Sequence, residues 1–303
     1  MKSCHLVTIA DLSAEEIWEV LDLARELKSD LKSGKTHAVL SEKTLAMIFL
    51  KPSLRTRVSF EVGMTQLGGH AIYLGPNDIK LGERETTEDI ALVLSRYVDG
   101  IMARVFGHQT IEDLAEYSRV PVINGLSDLL HPCQALGDLL TVLEKKREFA
   151  GLNFCFIGDG NNVAHSLINA CAGVGMNFSL ACPEGLEPEE EIVQAARGTG
   201  IDVLVTNEPE EAAKGADILY TDVWASMGEE DIAEQKKKHF QGFTIDERLL
   251  ARAATGALVM HCLPAHYGEE ITQEVAHGPQ SAIFDQAENR MHAQKALLAL
   301  LMS

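Results

Sequence analysis

The sequence has no apolar run that approaches the roughly 20 residues a helix needs to cross a bilayer. It is also poor in basic residues, with 26 Lys and Arg against 45 Asp and Glu, and the net charge is −19. Such a charge repels nucleic acid and anionic membrane surfaces, so neither is an expected partner. The 303 residues are 46% hydrophobic and 23% charged, which favours a globular enzyme, and the length allows two domains of ordinary size or one large one.

Cysteine motifs are absent as well. The six cysteines contain no C-x-x-C pair, and we expect no secretory signal because polar and acidic residues begin at Asp11. This usage predicts reduced thiols in a cytoplasmic protein. The histidines and cysteines also lack the spacing of metal ligands, so we expect neither a metal nor another cofactor.

Helix and strand patterns alternate along the chain, which favours an α/β protein with largely parallel sheets covered on both faces. A charge run over 144–148, followed by Gly151, indicates a boundary. We therefore expect two doubly wound parallel-sheet domains, with the active site in the cleft between them. The predicted limits are 1–147 for the first domain, 148–285 for the second and 286–303 for a final helix that completes the first. Strands are predicted at 257–260 and 282–284.

The most informative segment is Lys51-Pro52-Ser53-Leu54-Arg55-Thr56-Arg57, between an apolar run at 45–50 and a helical pattern at 58–67. A helix start offers unpaired N–H groups and positive dipole charge to an anion, and Arg55 and Thr56 add donors. The alternative is that Ser53 only caps the helix while the arginines pair with acids. For Arg57 we keep this alternative. Side chains of neighbouring helical residues point about 100° apart, so we do not expect both arginines to reach one ligand.

Other polar groups follow predicted strands, at the sheet edge where ligands bind in open α/β folds. Arg104 ends one strand, and His131-Pro132-Cys133-Gln134 opens the next helix. A histidine in that position is often only a cap, but an imidazole and an amide can also bind a carbonyl. With the Ser53 segment, these residues favour a site for a small phosphate that carries a carbonyl.

The segment Gly158-Asp159-Gly160-Asn161-Asn162-Val163 follows a strand and raises the possibility of a dinucleotide site. Val163 replaces the third glycine, and Cys182-Pro183 stands where a ribose-binding acid is expected, so nicotinamide-dependent oxidoreduction has weak support. The two asparagine amides suit a zwitterionic amino acid instead.

Two further strand ends complete the candidate residues. Asp222-Val223-Trp224-Ala225-Ser226-Met227-Gly228 offers a carboxylate for an ammonium group, or simply a capping aspartate on a solvated loop. His261-Cys262-Leu263-Pro264 places a cysteine where it could be a nucleophile, a polar contact or plain core.

At these residues the chain closely resembles the ornithine carbamoyltransferases, within the family they share with the aspartate carbamoyltransferases. The resemblance covers nearly the whole length and also includes Glu288-Asn289-Arg290. The segments beginning at Ser53, Arg104 and His131 are shared by the whole family. Ser226-Met227-Gly228 and His261-Cys262-Leu263-Pro264 indicate ornithine rather than aspartate.

The resemblance implies a role for each matching position. The residues implied to bind carbamoyl phosphate are Ser53, Leu54 through its N–H, Arg55, Thr56, Arg104, His131, Pro132, Cys133, Gln134, Cys262, Leu263 and Arg290. The residues implied to bind ornithine are Asn162, Asp222, Ser226 and Met227. Cys262, Arg104 and His131 are implied to take part in catalysis, with Cys262 orienting the amine rather than bonding to it.

The resemblance further implies transfer of a carbamoyl group to the side-chain amine of ornithine, giving citrulline in arginine biosynthesis. It implies a homotrimer, or an assembly of trimers, with the active site near a subunit boundary and the segment around Lys80 close to that site. Two positions depart from the family: Leu54 replaces a usual threonine, and Lys80 stands where many bacterial relatives carry glutamine. Three alternatives remain, namely another amine such as putrescine or an acylated ornithine, nicotinamide chemistry, and a non-catalytic phosphate-ligand sensor.

Overall fold

The computed structural model describes residues 2–82, 84–225 and 233–303, without the side chains of Ala233 and Gln235. The chain forms two compact units. Unit 1 comprises Met1–Leu140 and Glu288–Ser303, and unit 2 comprises Thr141–Ala287. Both boundaries between the units fall inside helices. The first lies within the helix Pro132–Lys146, and the second lies within the last helix, Ile283–Met302.

Unit 1 is built on a parallel four-stranded sheet of order β2-β1-β3-β4. Its strands are β1 (Thr44–Phe49), β2 (His70–Leu74), β3 (Gly100–Arg104) and β4 (Val122–Leu126). Its helices are α1 (Ala14–Lys32), α2 (Leu54–Gln66), α3 (Pro76–Ile79), α4 (Thr87–Leu94), α5 (Gln109–Tyr117) and the start of α6 (Pro132–Lys146). Strand β3 is buried throughout, as expected for a parallel strand covered on both faces.

Unit 2 is built on a parallel five-stranded sheet of order β7-β6-β5-β8-β9. Its strands are β5 (Asn153–Ile157), β6 (Asn177–Ala181), β7 (Val203–Thr206), β8 (Ile218–Thr221) and β9 (Leu258–His261). Its helices are α7 (Asn162–Val174), α8 (Glu190–Gly198), α9 (Pro209–Ala213), α10 (Ala233–His239), α11 (Glu247–Leu250), α12 (Gln273–Ala276) and the start of α13 (Ile283–Met302).

Each sheet has one place where the chain reverses its direction of winding. In unit 1 this is between β1 and β3, and in unit 2 it is between β5 and β8. Connections leave such neighbouring strands toward opposite sides, which opens a crevice at their carboxyl ends. The segments that follow these strands begin at Leu50, Val105, Gly158 and Asp222, so the candidate residues lie at both crevices.

The expectation of two doubly wound parallel sheets is confirmed, and most elements agree with the sequence patterns within a few residues. One prediction is wrong: 282–284 is not a strand, because α13 begins at Ile283. Ser281 forms an isolated bridge to Val259, and the Ala282 N–H donates to the Val259 carbonyl, so the segment borders the sheet edge without forming a strand. A second difference is that α2 begins at Leu54, four residues before the helical pattern, because Ser53 caps it there. Within the described residues, no helix is long and apolar enough to cross a membrane.

Candidate active site

The start of α2 has the geometry of an anion site. The Ser53 side chain accepts a hydrogen bond from the Thr56 N–H at 3.2 Å, which ends the extended chain and begins the helix. Arg57 pairs with Glu61 at 2.9 Å and lies over the Tyr73 ring, as expected for the arginine that faces away. Of the two arginines in this segment, Arg55 is therefore the one available to an anion at the start of α2.

The last helix brings a further guanidinium to this point. Arg290 on α13 donates to the Thr56 hydroxyl at 3.0 Å, although the two residues lie 234 positions apart. At this residue α13 packs closely against α6, since a Cβ at Gly137 would lie 3.0 Å from the Arg290 Cα. Glycine at position 137 therefore allows Arg290 to lie this close to α6.

His131 lies inside a positively charged environment. It is buried, and its pKa is held well below 6.5 by burial first and then by the charges of Arg290, Arg104 and Arg55. Its imidazole is therefore neutral at pH 7 and can polarise a carbonyl as a hydrogen-bond donor without adding charge. The charges of these three arginines all act on His131, so three of the residues predicted to bind carbamoyl phosphate lie near it.

The rest of the His131 segment is buried at the first turn of α6. Pro132 is the first helical residue, where its missing N–H costs nothing. Burial raises the pKa of Cys133 to about 12, and its thiol donates to the Asn124 carbonyl, so it is a packed thiol and not a nucleophile. Gln134 lies one turn after His131, and its amide donates to Asp138 at 2.7 Å.

In unit 2 the glycine-rich turn has a structural explanation. The Gly160 N–H donates to the Leu186 carbonyl, and a Cβ at Gly160 would collide with the backbone of Glu187 and Pro188. The space that a dinucleotide pyrophosphate takes in other folds is here filled by the chain itself. This observation argues further against the nicotinamide alternative.

The two asparagines of this turn have different positions. Asn161 caps α7, since its side-chain oxygen accepts from the N–H groups of Val163 and Ala164. Its amide nitrogen donates to Asp222 at 3.2 Å. Asn162, the first residue of α7, is half-buried next to this contact. Asn161 therefore holds the turn and the aspartate together, which was not evident from the sequence.

Asp222 and Cys262 meet at the ends of two neighbouring strands. The Cys262 thiol donates to Asp222 Oδ1 at 2.8 Å, and the same oxygen accepts the Val223 N–H. Asp222 is buried and Cys262 is partly exposed. A carboxylate beside a thiol forms an anionic and polar surface that suits an amine.

The conformation of the Cys262-Leu263 segment depends on His261. The Leu263 N–H donates to His261 Nδ1 at 2.9 Å, and His261 Nε2 contacts Glu270 at 3.0 Å. Leu263 has a φ of 59°, which is rare for a leucine and is held by this contact. His261 therefore positions the peptide that follows Cys262.

Four further residues are predicted near the site. Three of them, Ser226, Met227 and Gly228, lie outside the described residues. The fourth, Lys80, is the C-cap of α3, is exposed and has a φ of 46°. Its role near a subunit boundary stays a prediction.

Two groups of potential metal ligands lie close together within the described residues: Asp222, His261 and Cys262, and also His266, Glu269 and Glu270. Neither group has a spacing along the sequence that indicates metal ligands. In the first group both ring nitrogens of His261 already have partners.

Sequence reasoning missed two buried pairs. The Lys236 ammonium lies 2.5 Å from Asp159, next to the Asn161 turn. Asp138, wholly buried in α6, holds the Gln134 amide. The spacing of Gln134 and Asp138 by four residues was a signal that could have revealed the second pair.

Comparison with known proteins decides the family. Residues 4–144 match a family model described as the carbamoyl-P binding domain of aspartate/ornithine carbamoyltransferase, and residues 150–301 match its Asp/Orn binding domain. The chain belongs to the aspartate/ornithine carbamoyltransferase family. The first family model ends in α6, whereas the second extends through α13.

Relatives match over the full length. An anabolic ornithine carbamoyltransferase from Pyrococcus furiosus is 53% identical, over 98% of this chain and 96% of the relative. An ornithine carbamoyltransferase from Methanosarcina acetivorans is 52% identical, over 98% of each chain. A solved ornithine carbamoyltransferase structure from Pyrococcus furiosus has a TM-score of 0.95 over 98% of this chain and 96% of that one, at 53% identity. One from Thermus thermophilus has a TM-score of 0.91 over all of both chains, at 44% identity.

Proposed function

We propose that the protein transfers the carbamoyl group of carbamoyl phosphate to the side-chain amine of L-ornithine, giving L-citrulline and phosphate. The observation that carries this proposal is the group of three guanidiniums around a neutral imidazole in unit 1. A carboxylate beside a thiol in unit 2 supplies the complementary amine-binding surface. The full-length relatives named ornithine carbamoyltransferase support the same substrates.

Unit 1 is the proposed carbamoyl phosphate domain. The phosphate oxygens accept hydrogen bonds from the N–H groups at the start of α2 and from Arg55, with Leu54 acting through its backbone. Arg104, His131 and Thr56 donate to the carbonyl oxygen, where negative charge develops in the transition state. Because Arg290 donates to Thr56, it fixes that hydroxyl as well as adding charge.

Unit 2 is the proposed ornithine domain, in which Asn162 and Asp222 bind the amino acid and Cys262 with Leu263 contacts the reacting centre. Ser226 and Met227 are proposed on the family resemblance alone.

The neutral amine attacks the carbonyl carbon and forms a C–N bond. The tetrahedral intermediate then breaks its C–O bond, the electron pair leaves with phosphate, and the nitrogen loses a proton. Holding both reactants together supplies much of the acceleration.

We further propose that the protein is a homotrimer or an assembly of trimers and acts in the cytoplasm. Leu54 and Val58, one turn apart on α2, are 75% and 47% exposed, and such an apolar pair suits a subunit contact. Light scattering should give a molar mass that corresponds to three chains of 33.1 kDa, or to a multiple of three chains. A monomer would contradict the trimer proposal.

The cysteines support the proposed location in the cytoplasm. All six are described and none forms a disulfide, which fits a reducing compartment.

One assay tests the reaction. Purified protein is incubated with carbamoyl phosphate and, in turn, ornithine, putrescine, N-acetylornithine and aspartate, and both ureido product and phosphate are measured. We expect equal amounts of citrulline and phosphate with ornithine and far less product with the other amines. A preference for putrescine or N-acetylornithine would support the alternative substrates. Binding of carbamoyl phosphate without any product would indicate a sensor.

A further inference from the structure

We infer that Asp138 is a positioning residue for carbamoyl recognition: it fixes the Gln134 amide so that the amide oxygen faces the amino group of carbamoyl phosphate. Asp138 would thereby decide between carbamoyl phosphate and acyl phosphates that lack an amino group. The inference rests on the proposed function, and it assigns a role to a residue that touches no substrate.

The first step is the position of Gln134. It follows His131 by one helical turn, and Gly137, which packs against Arg290, follows Gln134 by another. Residues three apart on a helix share a face, so Gln134 lies on the face of α6 that carries His131 and meets Arg290. Gln134 is 1% exposed, and its Oε1 has no hydrogen-bond partner among the described residues.

The second step is the orientation of the amide. Gln134 Nε2 donates to Asp138 Oδ1 at 2.7 Å, and Asp138 is 0% exposed. A carboxylate has only acceptors, so it must receive the NH₂ end of the amide and cannot receive the oxygen. The chemistry of the pair therefore selects one of the two amide orientations.

The third step is what the fixed oxygen can recognise. A buried acceptor without a partner is unfavourable, and a ligand N–H that reaches it relieves that cost. The amino group of carbamoyl phosphate supplies such an N–H. Acetyl phosphate has nearly the same shape but carries a methyl group, which would leave the oxygen unsatisfied. Sites that hydrogen-bond a substrate N–H discriminate strongly against analogues without it.

The test compares three ligands in four proteins. The KM of carbamoyl phosphate and the inhibition constants of acetyl phosphate and inorganic phosphate are measured for the wild type, Asp138→Ala, Asp138→Asn and Leu139→Ala. Leu139 is a buried neighbour on the same helix, so its variant controls for loss of packing. Asp138→Leu keeps the buried volume without an acceptor and replaces Asp138→Ala if that variant does not fold.

We expect Asp138→Ala to raise the KM of carbamoyl phosphate about tenfold, as the loss of one well-placed hydrogen bond predicts. Acetyl phosphate and phosphate should bind as in the wild type. Asp138→Asn should keep most of the discrimination, because its side-chain oxygen can still accept from Gln134, and Leu139→Ala should keep all of it. Gln134→Met should lose the discrimination, and adding Asp138→Ala to it should change nothing further.

Unchanged discrimination in Asp138→Ala would overturn the inference, as would an equal loss of all three ligands or a loss in Asp138→Asn as large as in Asp138→Ala. In each of these cases wild-type transfer to ornithine would still support the proposed function. A wild type that does not bind carbamoyl phosphate would instead refute the proposed function together with the inference.

Discussion

The two units carry their polar residues at equivalent places in the fold but with opposite charge. In unit 1 the ends of β1 and β3 and the start of α6 lie around Arg55, Arg104 and His131, and Arg290 joins them from α13. In unit 2 the ends of β5, β8 and β9 bring Asn161, Asp222 and Cys262 together. The doubly wound arrangement that both units share carries the proposed oxyanion site in one unit and the proposed amine site in the other. In this proposal the charge of the side chains, and not the fold, decides which substrate each unit binds.

The largest effect is expected from the cationic side of this comparison. Arg55→Ala should raise the KM of carbamoyl phosphate about 100-fold, because it removes charge-assisted hydrogen bonds to a dianion. The KM of ornithine, measured at saturating carbamoyl phosphate, should stay within a few-fold of the wild type. Arg57→Ala is the matched control, since Arg57 pairs with Glu61 and should leave both constants unchanged. Unaltered saturation by carbamoyl phosphate in Arg55→Ala would remove Arg55 from the site.

The anionic side should respond in the opposite way. Asp222→Asn should raise the KM of ornithine about 30-fold through loss of a charged hydrogen bond to an ammonium group. The KM of carbamoyl phosphate should change little. Asp202→Asn, an exposed aspartate of the same unit, is the control. An Asp222→Asn variant that still saturates normally with ornithine would contradict the assignment.

Cys262 is partly exposed, whereas its unit 1 counterpart, Cys133, is buried and should be inert. Cys262→Ser should lower kcat about tenfold and leave turnover measurable, since the thiol orients the amine and forms no covalent bond. Iodoacetamide should label Cys262 and the exposed Cys4, and ornithine should protect Cys262. Burial raises the pKa of Cys133, Cys155 and Cys182 to about 12, so these should resist labelling. A covalent carbamoyl adduct on Cys262 would contradict this role.

The smallest effect concerns the stability of the cationic site. Because the pKa of His131 lies well below 6.5 in the folded chain, the unfolded chain binds more protons once the pH falls below 6.5. His131 therefore favours folding above that pH, and the contribution is lost as the pH falls toward its folded pKa. Between pH 7 and pH 5, the free energy of unfolding of the wild type, measured with denaturant, should fall by about 1–2 kcal/mol more than that of His131→Gln. Equal losses would show that His131 is not held neutral.

Much of this arrangement could be predicted from the sequence, because it depends on local signals. Ser53 and Pro132 mark helix starts, and polar residues after apolar runs mark strand ends. The resemblance then implied roles that the patterns alone left open. The strand predicted at 282–284 failed because a three-residue apolar run does not distinguish a strand from the first turn of a helix.

The contacts that fix the site could not be predicted in the same way. The contact of Arg290 with Thr56 joins residues at opposite ends of the chain, and the pairing of Lys236 with Asp159 depends on how α10 folds back on the β5 turn. Asn161 and Asn162 looked equivalent, and only the geometry shows that Asn161 is the cap. Contacts between residues far apart in the sequence carry no motif, because packing selects them rather than the chemistry of the reaction.

The most direct test of the central claim is a crystal structure of the protein with carbamoyl phosphate or a stable phosphonate analogue. Phosphoryl oxygens should lie within hydrogen-bond distance of the N–H groups at the start of α2 and of the Arg55 guanidinium, and the carbonyl oxygen should lie at His131 and Arg104. A phosphoryl group bound in unit 2, at Lys236 or the Gly158 turn, would contradict the claim.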